Sequence, residues 1–341
     1  MTTTATLCID ADGHVRDADE DIRPYLPAPY NERPRLSANS PRDGFDNTLG
    51  GRLGTRQVDT GVWLDALDRG GLAASALFPT GSLGAGWLME PDFAIVRSRA
   101  YNNWLFDTYL QLDSRFKGVA LLPVQDPPAA AQELRRCVEE LGMLGGMLPE
   151  GPYQFGKPQF DVIYQEAQRL GVPLAVHGSG RITGSYDEFL FDNLSQVHSL
   201  GHAFTQMKQF VSIMLSGVPE KFPDLKIAFL EAGCGWTVYM LDRMDERYHL
   251  RGHVDSPLLT KYPSEYLASG NIFISCEAEE RMLPETMRIL GEDIIMFASD
   301  FPHWDAEFPE NIQHLLARED MTPEQRAKVA GLNAQRFYGM A

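Results

Sequence analysis

Cysteine is scarce in this chain. Four occur (Cys8, Cys137, Cys234, Cys276), with no Cys-x-x-Cys spacing among them, which speaks against a disulfide framework and for reduced thiols in a cytoplasmic protein. Long apolar runs are missing too: nothing approaches the roughly 20 residues that a membrane-spanning helix needs. The opening "MTTTATLCIDADGH" has no basic stretch followed by an apolar one, so no secretory signal is expected. Positive charge is in short supply, with 30 Lys and Arg against 47 Asp and Glu and a formal net charge of −17. That balance disfavours non-specific contact with nucleic acid or anionic membranes. It says little about a small molecule, which responds to the local field of its pocket, so a small-molecule substrate is the expected partner. There is no internal repeat, no low-complexity linker and no Gly-x-Gly-x-x-Gly opening the first helix, the feature a dinucleotide-binding open sheet would show.

What is present is a large core in an ordinary soluble composition: 44% hydrophobic and 23% charged residues over 341 positions. Short apolar runs alternate with helical patterns. The runs are "TLCID", "AASALFPT", "GVALLPV", "GGMLPE", "VPLAVHGSG", "LKIAFLEAG", "NIFISCE" and "DIIMFASD". They are near-continuously apolar, as strands buried on both faces are. Eight such strands separated mostly by helices imply a parallel sheet closed into a (β/α)8 barrel of the TIM type. We read 1–341 as one barrel domain. A polar insert rich in Pro, Arg, Asn and Gly follows the first strand, over 17–57, and is expected to cap the C-terminal mouth or to contact another subunit. "TPEQRAKVAGLNAQRFYG" reads as a terminal helix with Thr322 as N-cap and Pro323 at its first position.

Barrel active sites form where the strands end, and here the strand ends are polar. The first delivers Asp10, Asp12 and His14 in alternation, which on a regular strand puts them on one face. Two carboxylates and an imidazole facing one another make a poor core and a reasonable cation site. The fifth strand ends on His177, the sixth on Glu231, the seventh on Glu277, and the eighth on Asp300 with His303 just beyond. Singly, each has a plain structural explanation: an Asp after a strand caps a helix, and Asp10 can bond neighbouring backbone. Together they favour a metal site. His202 begins a helix after strand five and can point into the mouth, Trp304 follows His303, and Arg52 is one of several arginines able to grip a substrate carboxylate. His249, His253 and His314 are expected at the surface.

The order Asp-x-Asp-x-His on strand one, His on strand five and "SDFPHWD" on strand eight resembles the amidohydrolase superfamily. The closest branch is the amidohydrolase-related one that includes aminocarboxymuconate-semialdehyde and resorcylate-type decarboxylases. "FPDLKIAFLEAGCGWTVYMLDRMDE" and "NAQRFYG" are similar to that branch as well. The resemblance implies that Asp12, His14, His177 and Asp300 hold one divalent metal ion, Zn²⁺ first, with Mn²⁺ and Fe²⁺ as alternatives. Two departures stand out: Asp12 occupies a position usually held by His or Glu, and Glu231 replaces a strand-six histidine that moves protons in the decarboxylases.

Three functions follow as expectations. The first is a hydrolase acting on a small aromatic or cyclic amide, ester or carbonyl compound through a metal-activated water. In it Asp300 accepts the water's proton, Glu231 or His202 assists, and Glu277, His303, Trp304 and Arg52 shape the pocket. The second is a non-oxidative decarboxylase of an aromatic or unsaturated acid, which requires Glu231 to be protonated at working pH. The third is a metal-binding barrel without catalysis. A homodimer is expected.

Overall fold

The computed structural model describes residues 6–34, 36, 58–178, 194–303, 305–307 and 309–340. Eight strands form one sheet in sequence order: β1 Ile9–Val15, β2 Ala74–Pro79, β3 Phe116–Leu121, β4 Gly145–Pro149, β5 Leu174–His177, β6 Ile227–Phe229, β7 Ile272–Cys276 and β8 Ile295–Phe297. Each is parallel to its neighbour. Every residue of every strand is buried except Lys117, which is half-buried. Burial on both faces is why these segments read as unbroken apolar runs. β8 returns to β1 through two backbone bonds just past its end, Asp300 N–H to Asp12 O at 3.0 Å and His14 N–H to Phe301 O at 2.7 Å. This is the (β/α)8 barrel expected from the sequence.

The helices between strands are bounded by local chemistry. Helix Thr60–Gly70 starts at Asp59, whose carboxylate accepts the Val62 N–H, and stops at Gly71 in left-handed backbone. Helix Pro127–Leu141 repeats the device with Asp126 and Gly142. Each such cap stabilises its helix by about 1 kcal/mol. Thr322 caps the helix Pro323–Ala327 as its sequence predicts. The helix expected from about Ala203 starts earlier and runs Leu194–Leu215, so His198 and His202 both lie on it, one turn apart.

The described part of the insert packs against helix Pro91–Leu105. Tyr30 stacks on Phe93, and Arg33 covers the same ring and pairs with Glu90. At the insert's first residue, the buried Asp17 carboxylate accepts from Gly81 N–H and Ser82 Oγ and pairs with buried Arg97 at 3.1 Å. Residues 37–57 of the insert lie outside the described residues, and so do Arg52, Arg56 and Trp304. Among the described residues no helix is long and apolar enough to cross a membrane, and all four cysteines are buried and free.

Candidate metal and active site

β1 does not present its three polar residues on one face. Asp10 pairs with Ser75 and Gly13 with Leu77, so β1 uses one residue more than β2 over this stretch. This bulge takes Asp10 out of the expected trio. Asp10 Oδ2 accepts from Ser75 Oγ at 2.7 Å and Ser299 Oγ at 2.8 Å, while Oδ1 accepts the N–H groups of Ser299 and Asp12. With both oxygens occupied, Asp10 rivets β1 to β2 and β8 and offers nothing to a cation. Gly13 permits this packing: a Cβ there would fall 2.5 Å from Ser75 Oγ and 2.7 Å from Asp10 Oδ2. Trp63, buried below, donates its indole N–H to His14 O at 3.0 Å and fixes the strand's end.

Past the bulge the remaining residues converge. Asp12 Oδ1 is 3.2 Å from His177 Nε2 and 3.6 Å from His14 Nε2, and His14 Nε2 is 3.3 Å from Asp300 Oδ1. Both imidazoles are turned the way metal-binding histidines are. His14 Nδ1 lies 3.1 Å from Pro79 O and His177 Nδ1 2.8 Å from Gly178 O. Donation from Nδ1 turns each Nε2 toward the cluster. Asp12 Oδ2 and His14 Nε2 are buried without a hydrogen-bond partner. Two orphaned acceptors would each cost about 1–3 kcal/mol, and one cation can satisfy both. Asp12, His14 and His177 bring ligand atoms within 4.8 Å of one another, and Asp300 belongs with His14, Glu231 and His303 to a second such group. The two groups share His14 and offer imidazoles and carboxylates that fit a divalent metal ion.

The same geometry sets the charges. Burial, then His303 and His177, hold His14 well below the usual histidine range, so it is neutral. Burial opposes a proton on His177, but Asp12 and Glu231 outweigh it and raise its pKa to about 9.

Glu231 follows β6 and Asp300 follows β8, and among the described residues they alone hold left-handed backbone without being glycine (φ 54° and 53°). Such strain is tolerated where surrounding structure over-determines it, and it collects at functional sites. At Glu231 the backbone N–H is held by Ser275 Oγ at 2.9 Å. Asp300 caps no helix. Its Oδ1 lies 3.3 Å from His14 Nε2 and 2.6 Å from His303 Nδ1. Glu231 Oε2 is 3.3 Å from His177 Nδ1 and 3.5 Å from His202 Nδ1, and Oε1 is 3.7 Å from His303 Nδ1. Burial and the Asp300 charge push the Glu231 carboxyl well above the ordinary carboxylate range, against the pull of the neighbouring histidines. His202 is kept neutral by burial and by the adjacent His198, His177 and His303.

A cavity of about 410 Å³ opens over Glu231 and Asp300. His202 and Glu277 line it, and His303 lies beside Asp300. His249, His253 and His314 are exposed. Thr80, which follows β2 and lies 3.1 Å from His303 Nε2, carries no signal of its own in the sequence. Nor was the Asp17–Arg97 pair anticipated, because it joins residues 80 positions apart. Glu150, at the end of β4, was equally visible as a strand-ending acid. It is buried and accepts from Thr205.

The chain is 29% identical over 272 residues to the gamma-resorcylate decarboxylase of Rhodococcus jostii (strain RHA1), covering 73% of this chain and 78% of that protein. Its fold superposes on the 5-carboxyvanillate decarboxylase of Sphingomonas paucimobilis with a TM-score of 0.77 at 21% identity, over 99% of this chain and 100% of that one. The dihydroxybenzoic acid decarboxylase of Polaromonas sp. JS666, solved with bound manganese and the inhibitor 2-nitroresorcinol, matches with a TM-score of 0.75 at 21% identity over 98% of each chain. The amidohydrolase family model matches residues 9–340, nearly the whole barrel including both ends of the metal cluster, and the chain belongs to the amidohydrolase family.

Proposed function

We propose that this protein is a metal-dependent, non-oxidative decarboxylase of aromatic hydroxy acids. The observation that carries the reading is the state and position of Glu231. Its carboxyl sits beside the four-residue cluster, lines the cavity, leaves Oε2 without a hydrogen-bond partner, and is held above the ordinary carboxylate range. A proton kept on a carboxyl near neutral pH is what a carbon acid–base step needs and what water activation does not. The hydrolase expectation therefore gives way to the second one. The named relatives, which are decarboxylases, support the same choice.

Asp12, His14, His177 and Asp300 would hold the metal. Bound there, a divalent cation supplies a Lewis-acid anchor for a carboxylate and an adjacent hydroxyl oxygen. We infer Mn²⁺ ahead of the Zn²⁺ first expected, because two carboxylates give a hard ligand set and a related enzyme carries manganese. The rest is done by side chains of this chain. His303, braced by Thr80, holds the Asp300 carboxylate in place. Glu231 delivers its proton to the ring carbon that bears the carboxylate. The C–C bond then breaks, its electrons return to the ring, and CO₂ leaves. Glu231 is left ionised and regains a proton from solvent.

The test is a screen of Mn²⁺-loaded protein on hydroxybenzoates, amides and esters, following CO₂ release and hydrolysis in parallel. CO₂ release with a metal requirement is expected. Ester or amide turnover without CO₂ from any acid would restore the hydrolase reading.

A further inference from the structure

The wall of the cavity is acidic. Among the described residues, five carboxylates line it (Glu231, Glu277, Glu280, Asp300, Asp305) against one guanidinium, Arg281. Four of the five have a task within the protein. Asp300 and Glu231 face the cluster. Glu280 is fully used, accepting from the backbone N–H of Cys234 and of Glu277, at 2.9 Å each. Asp305 pairs with His198 at 3.9 Å. Glu277 is different. It is exposed on the cavity wall, and among the described residues its carboxylate has neither a hydrogen bond nor an opposite charge, although Glu280 holds its backbone. Trp236 and Met282 line the same cavity, a setting suited to an aromatic ring. His202 lines the same cavity, with its Nδ1 3.5 Å from Glu231 Oε2.

A ring anchored by its carboxylate at the cluster would cover Glu277. Covering a carboxylate without a donor is costly, and placing a second carboxylate beside it adds repulsion. Resting on the decarboxylase reading above, we infer that the substrate carries a hydrogen-bond donor, an amino group above all, on the ring edge away from the reacting carboxylate. Glu277 accepts that donor and selects against aromatic dicarboxylic acids. Among the described residues lining the cavity, Arg281, exposed and four residues further on, is the one guanidinium that could reverse this preference.

The test uses Mn²⁺-loaded protein and a matched series: 2-hydroxybenzoate bearing an amino group, hydrogen or a second carboxylate at ring position 4 or 5. Both kcat/KM for CO₂ release and calorimetric affinity are measured. A hydrogen bond to a charged acceptor corresponds to about tenfold or more. The amino compound should therefore exceed the dicarboxylate by at least about tenfold. Glu277→Gln should shrink that ratio to below about threefold, and Glu277→Lys should invert it. Equal or better use of the dicarboxylate by the natural protein, or a ratio unmoved in both variants, overturns the assignment. The two readouts separate the two claims. Affinities that follow Glu277 without CO₂ release from any probe would sink the decarboxylase reading and keep the Glu277 site. CO₂ release with no discrimination would do the reverse.

Discussion

The backbone N–H of Asp300 bonds the carbonyl of Asp12 at 3.0 Å. Two residues whose side chains face the same cluster are thus joined through their main chains at the seam where the eighth strand meets the first. His14, one of the seam's other donors, bonds Phe301 O at 2.7 Å. Three of the four candidate ligands sit on the two edges of the seam, and His177 reaches across from β5. Closing the barrel and assembling the site are one event, so a metal ion that binds only the assembled site stabilises the closed barrel.

Metal should therefore raise the melting temperature. At a free ion concentration about 100-fold above Kd the gain is about 2.7 kcal/mol, which in a domain of this size corresponds to roughly 5 °C. Calorimetric scans with Mn²⁺ and after chelation check this. His177→Ala should melt at the same temperature in both conditions and purify with little metal. A variant that keeps its metal and its shift would remove His177 from the ligand set.

Metal affinity should depend on pH through His177. Its pKa is raised to about 9, so below that value Nε2 carries a proton that the cation must displace. Affinity then rises with pH, by about tenfold per unit for one released proton, and levels off above about 9. Competition with a chromophoric chelator between pH 6 and 9 measures the slope. A flat profile would mean that His177 loses no proton on binding.

Much of this was legible in the sequence, for identifiable reasons. Strands buried on both faces leave continuous apolar runs, and the residues that end them lie on one rim of the barrel, so Asp12, His14, His177, Glu231 and Asp300 could be picked out without coordinates. Alternation could not foresee the bulge that turns Asp10 aside, because a bulge depends on how β1 registers against β2. Nor could it foresee Thr80, an unremarkable residue after a strand, or the pairing of Asp17 with Arg97. Those depend on which loops meet in space.

The Asp17–Arg97 pair should be a stability element. Both side chains are buried, and the Arg97 Nη2–Asp17 Oδ2 distance is 3.1 Å. Arg97→Ala leaves the Asp17 carboxylate buried without its counter-charge, a loss of about 3–5 kcal/mol. Urea denaturation should show that drop. Arg97→Met with Asp17→Asn, which removes both charges and keeps volume, should recover part of it. A single variant as stable as the natural protein would show that Gly81 and Ser82 satisfy Asp17 unaided.

Glu231 divides the two chemistries most sharply. Burial and the charge on Asp300 raise its carboxyl above the ordinary range. A group with a raised pKa is protonated below it and loses the proton as pH rises through it. A decarboxylase that uses Glu231 as its acid must therefore slow as pH rises through that pKa, whereas a hydrolase using the ionised form must slow as pH falls through it. Glu231→Gln keeps the size of the side chain but cannot give up a proton, so it should lower kcat by about a hundredfold or more and abolish that limb of the profile. Glu231→His restores the residue type that the resemblance places on strand six, and should recover decarboxylation with a limb shifted toward the imidazole range. The readouts are pH–rate profiles of all three proteins, each saturated with metal at every pH so that the His177 effect does not intrude. If Glu231→Gln matches the natural protein in rate and pH dependence, Glu231 carries no proton in the reaction. The acid must then be sought at His202, whose Nδ1 lies 3.5 Å from the same carboxylate.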